Sequence, residues 1–79
     1  MNKIDREIKK INSTIDDFAK SMKAKMIIKH AEGYTGWDEI GEDEKPIIIR
    51  RLIDHALRGD GQEVDVANFA MMIWHLNNK

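Results

Sequence analysis

The stretch "KIDREIKKINSTIDDFAKSMKAKMIIKHA", residues 3–31, decides the fold. Within it Ile4, Ile8, Ile11, Ile15, Phe18 and Met22 recur at alternating steps of four and three. That alternation places all six on one seam of a helix, as in a coiled coil, and Met26 continues the face. No proline or glycine interrupts it, and "EGYTG" at 32–36 ends the pattern. Ser13 and Thr14 are mediocre helix formers, but two weak residues do not stop a helix. At 1.5 Å per residue such a helix is roughly 40 Å long. A compact domain of this size is only roughly 30 Å across. The helix therefore overhangs its own domain, and its isoleucine edge needs another apolar surface. A second copy of the chain is the economical source, so a homo-oligomer, a dimer or higher, is expected.

Beyond this helix, "EGYTGWDEIGEDEK" at 32–45 is the one long connection. Acidic residues 42–44 lead into Pro46, which suits the first turn of a second helix over about 45–58. Ile48, Ile49, Leu52, Ile53 and Ala56 are expected to form its buried stripe. Gly59 is a natural helix stop after Arg58, and "GDG" at 59–61 makes a tight turn. A third helix over about 62–77 then packs antiparallel to the second. It is apolar on two sides, with Val66, Phe69, Ala70, Ile73 and Leu76 on one and Val64, Ala67, Met71 and Trp74 on the other. Such a helix belongs at the centre, or is shared between the core and a subunit interface. The expected fold class is all-α: residues 1–79 form a single helical domain, one long N-terminal helix plus an antiparallel helical hairpin, assembled into an oligomeric helical bundle.

Composition narrows the function classes. The chain has 79 residues, no cysteine and a net charge of −1. A core this small usually needs reinforcement, and without cysteine neither disulfides nor thiolate zinc sites can provide it. His30, His55 and His75 lack short ligand spacing, so no metal is expected. The N-terminus has no apolar segment of the signal-peptide kind and no run approaches membrane-spanning length. A cytoplasmic, membrane-free location is the expectation. Residues 1–31 carry eight Lys/Arg against four Asp/Glu, and residues 32–45 carry one against six. A basic segment beside an acidic one can pair with itself or with a neighbouring subunit. The overall balance is not basic, so nucleic acid is not the expected partner.

Asp65, Asn68, Met72 and His75 fall on one face of the third helix. An acid, an amide and an imidazole on one rigid helix could meet a nucleotide, or the face could be the wet side of an otherwise buried helix. Tyr34 and Trp37 sit in a glycine-flanked loop, where aromatic planes can stack on a base while Lys29 and His30 meet phosphate. Trp37 could equally fold back as a plug over the core. Arg50 and Arg51, with His55 a turn later, offer forks suited to phosphate or carboxylate, or salt bridges to Asp54 and the acidic loop. Lys20, Lys23 and Lys25 look like a solvated face. No nucleophile setting and no Gly-Lys-Ser/Thr phosphate loop is present.

The "GW" followed by acids, and then "VDVANFAMMIW", resembles the C-terminal half of small phage and prophage proteins related to the all-α, MazG-like nucleotide pyrophosphohydrolases. In that family a Glu-Glu-x-x-Glu motif and a Glu-x-x-Asp motif hold magnesium, which activates water against a nucleoside triphosphate. Only Asp65 matches here; Gln62 stands where the acid of Glu-x-x-Asp would fall, and the second helix reads "IIIRRLIDHAL", with Arg and His in place of carboxylates. Magnesium needs oxygen ligands, and arginines repel it. The resemblance thus implies a helical nucleotide-handling core with its metal-binding carboxylates missing. A class-level analogy points the same way: phages encode small helical oligomers that sequester signalling nucleotides of host immunity.

Together these readings give a non-enzymatic, phage-type accessory protein that binds or sequesters a nucleotide-type ligand, with no catalytic residues, cofactor or metal. Its expected ligand-binding set is Lys29, His30, Tyr34, Trp37, Arg50, Arg51, His55, Asp65 and Asn68. The alternatives are a module that docks a host protein, and a diverged nucleotide pyrophosphohydrolase.

Overall fold

The computed structural model describes residues 2–79. Three helices account for most of it: α1 (Lys3–Ala31), α2 (Lys45–Leu57) and α3 (Glu63–Asn77), with single 3₁₀ turns at Trp37–Glu39 and Glu42–Glu44 before α2. The fold is all-α, as expected, and α1 runs unbroken through Ser13 and Thr14. Among the described residues no helix is long and apolar enough to cross a membrane.

Both ends of α1 are fixed by local chemistry. Asn2 caps the start: its Oδ1 accepts the Asp5 amide at 2.8 Å, meeting one of the donors that a helix leaves without a partner. At the far end the Tyr34 amide donates to the Lys29 carbonyl and the Gly33 amide to that of His30. This nested pair is the Schellman arrangement, which requires a left-handed residue after the helix. Gly33 provides it with φ of +101°. A Cβ at Gly33 would meet no atom within 4 Å, so Gly33→Ala carries only a backbone penalty. That substitution is expected to lower stability by about 1–2 kcal/mol, read from urea unfolding followed by circular dichroism.

α2 starts with Pro46 in its first turn, and Lys45 pairs with Glu42 at 3.0 Å. A short turn through Gly59 and Gly61, both with positive φ, returns the chain as α3. Two contacts fix the antiparallel sense: His55 near the end of α2 meets Gln62, and Lys79 beyond α3 donates to the Ile40 carbonyl ahead of α2. α3 is the central element, with both α1 and α2 packed on it. α1 also lies antiparallel to α3, since Lys25 meets Asp65 while Met22 meets Asn68.

The core is thin. Ile48 at 7% and Leu76 at 5% exposure are the buried apolar side chains, and Asn68 at 4% is buried with them. The expected stripe on α2 needs correction. Ile48 is buried and Leu52 half-buried, but Ile49, Ile53 and Ala56 are exposed. A single helix, α3, covers one narrow side of α2, and residues flanking the Ile48 direction fall outside it. On α3 itself Ala70 and Trp74 are exposed for the same reason. On α1, every residue from Asn2 to Phe18 is exposed, the isoleucine seam included. The molecule measures 48 × 25 × 25 Å, its long axis matching the overhang read from the sequence.

Candidate functional site

α1 and α2 both rest on α3 and leave a pocket of about 660 Å³ above it. α3 forms the floor with Asp65, Asn68, Phe69 and Met72. Lys25, Met26 and Lys29 come from α1, and Arg51, Asp54, His55 and Arg58 from α2. The loop closes the rim with Tyr34, Thr35, Gly36 and Trp37. The Schellman turn makes this possible by directing Tyr34 back toward α1, where the Lys29 ammonium lies 5.2 Å from its ring centroid.

Seven of the nine residues expected at a site line this pocket: Lys29, Tyr34, Trp37, Arg51, His55, Asp65 and Asn68. His30 and Arg50 do not line it, and both are exposed. Each lies one residue from a lining neighbour, and one step along a helix turns a side chain by about 100°. The floor is the polar stripe of α3, which is therefore not a wet outer face: Asn68 is buried and Asp65 and His75 are half-buried. Lys25 also departs from the expected solvated face, reaching Asp65 at 3.5 Å. Asp54 and Arg58 complete the walls and Phe69 and Met72 the floor, although none of the four was expected in the ligand-binding set.

Asp65 lies between Lys25 and His55. Lys25 stands 3.5 Å from Oδ1, and His55 Nδ1 lies 3.8 Å from Oδ2. The same Nδ1 donates to Gln62 Oε1 at 2.9 Å, and the His55 ring leans on Phe69 with centroids 5.1 Å apart. Trp37 is half-buried and meets His75 edge-on at 5.2 Å. It is thus both a plug over the end of α3 and a wall of the pocket. Asn68 donates from Nδ2 to the Met22 carbonyl at 3.3 Å, tying α3 to α1. Its Oδ1 is buried without a hydrogen-bond partner. The Met22 carbonyl fixes this amide orientation, because the reverse would set oxygen against oxygen.

No protein family, curated protein or solved structure matches the chain.

The pocket's chemistry therefore rests on its own side chains. Lys25 is engaged by Asp65, and Lys29 by Glu32 at 3.5 Å. Arg51 and Arg58 have no carboxylate within ion-pairing distance among the described residues. Among those residues no three His, Asp or Glu side chains converge as a metal-holding group would need. The arrangement offers two unpaired guanidinium forks and an aromatic rim, the combination suited to a planar group that carries phosphate or carboxylate.

Proposed function

We propose that the chain binds a nucleotide-type ligand in this pocket and holds it without turnover. The observation that carries the reading is that Arg51 and Arg58, free of ion pairs, face the same space as Tyr34 and Trp37. Two forks two helical turns apart on one side of α2 can each take phosphate or carboxylate oxygens bidentately, while an indole or phenol ring accepts a base by stacking. The volume of about 660 Å³ lies within the range of ordinary small-molecule pockets. Asp65, held by Lys25 and flanked by His55, serves in this reading as part of the polar floor.

Calorimetric titration with a mononucleotide, a nucleoside triphosphate, a cyclic dinucleotide and ADP-ribose tests the proposal. Saturable binding of at least one is expected, weakening as salt is raised. Arg51→Ala and Arg58→Ala should each loosen it by about tenfold, the usual worth of a hydrogen bond to a charged group. Arg50→Ala, outside the pocket, should leave affinity unchanged. Failure of every compound to bind at millimolar concentration would overturn the reading.

A further inference from the structure

The chain is more open than a compact monomer of its mass. Its accessible surface is 6303 Å². A compact monomer of its 9.2 kDa mass would expose about 4,900 Å². The excess of roughly 1,400 Å² is larger than the roughly 800 Å² per partner of a standard stable interface. The radius of gyration tells the same story, at 15.1 Å against about 12 Å for a compact chain of this length.

Two apolar surfaces stand exposed. One is the α1 seam of Ile4, Ile8, Ile11 and Ile15, between 52% and 67% exposed. The other lies on the side of the hairpin facing away from the pocket. There Ile49 and Ile53 of α2 flank Ala56, which lines a shallow hollow with Val66 and Ala67 of α3, and Ala70 and Trp74 continue the surface. The seam is the extension of the face whose other end, at Met22 and Met26, already packs on α3.

We infer that two copies associate reciprocally, the exposed half of each α1 lying across the outer face of the partner's hairpin. The α1 rods then run antiparallel with their seams turned inward, and the two hairpins sit between them, one at each end. A two-fold axis through the middle generates this arrangement without threading either chain. Each end becomes a four-helix bundle made of α2, α3, the C-terminal half of one rod and the N-terminal half of the other. The lengths agree: the exposed rod from Lys3 to Phe18 spans about 24 Å, and α3 about 22 Å. A parallel coiled coil joining seam to seam would leave Ile49, Ile53 and Trp74 in water, so the reciprocal form is favoured by the area it covers.

The test uses two variants of the full chain in sedimentation velocity. Ile8→Glu/Ile11→Glu alters the seam, and Ile53→Glu/Trp74→Glu alters the outer hairpin face. Wild type is expected to be a dimer at micromolar concentration. Each variant alone should lose association by roughly a hundredfold or more, because buried charge is left uncompensated. An equimolar mixture should recover a heterodimer, since one seam and one hairpin face remain matched. A monomeric wild type, a hairpin-face variant that dimerises normally, or helical variants whose mixture stays monomeric would each overturn the inference. If the hairpin-face variant loses its helicity, Trp74 fluorescence decides the matter in a Trp37→Phe background. The seam does not touch its own hairpin, so Ile8→Glu/Ile11→Glu can red-shift Trp74 only through the partner. An unchanged spectrum would overturn the reciprocal arrangement.

Discussion

Leu76→Ala is expected to cost about 3 kcal/mol of stability, within the usual range for truncating a buried leucine. Leu76 of α3 and Ile48 of α2 are the buried apolar side chains among the described residues, and little else is sealed from water. Relaxation can recover part of the loss, but there is no second buried layer to take up the strain. A domain of this size has roughly 5 kcal/mol in hand, so the variant should unfold at markedly lower urea concentration, and the hairpin should fail with it. Leu57→Ala gives the control. Leu57 is 80% exposed at the end of α2, and its truncation should fall within about 0.5 kcal/mol of wild type. Equal effects at the two leucines would contradict the packing described above.

Asn68→Asp should be as damaging at neutral pH, for an electrostatic reason. The exchange keeps the shape of the side chain, removes the Nδ2 donor to the Met22 carbonyl and places a carboxylate where exposure is only 4%. An uncompensated buried charge costs about 3 kcal/mol or more. Lys25, the α1 cation that reaches this floor, is already engaged by Asp65. Burial raises the folded-state pKa of the introduced acid above its unfolded value, so the protonated form is favoured by folding. The penalty is therefore absent below pH of about 4 and grows as pH rises through the folded value. Protonated, the carboxyl also regains a donor for Met22. Urea unfolding of variant and wild type across this range should show the gap closing on acidification. Asn68→Ala separates the effects: it loses one long hydrogen bond but also removes an oxygen that has no partner, and its cost should be near 1 kcal/mol.

Much of this architecture was legible in the sequence because it depends on repeating local signals. The bounds of α1 follow from an apolar period that no proline or glycine interrupts until "EGYTG" at 32–36 ends it. The central place of α3 follows from its having apolar residues on two sides. What could not be read was direction. α3 offers no unique inner face to a sequence analysis, so the burial of Asn68 and the inward turn of Asp65 and His75 appear only once α1 is laid against it. Arg50 and Arg51 are adjacent and chemically alike, and only the direction of Ile48 toward α3 decides that Arg51 faces the pocket. His30 and Lys29 part company in the same way at the end of α1. Lys25, Asp54 and Arg58 carry ordinary surface spacing, and nothing local distinguishes a charged wall from a solvated one. Ile49 and Ile53 were expected inside because their spacing matches a buried stripe, and α3 alone is too narrow to cover it.

The uncovered opening turns of α1 have a thermodynamic consequence. A lone helix of some four turns is marginal in water, and these turns draw no cohesion from the rest of their own polypeptide. In the inferred dimer their order is lent by the partner's hairpin, so becoming ordered and finding a neighbour are one equilibrium. The melting temperature of such a dimer is expected to depend on how much protein is present: dilution alone, with no denaturant or mutation, should soften the molecule from its first residues inward.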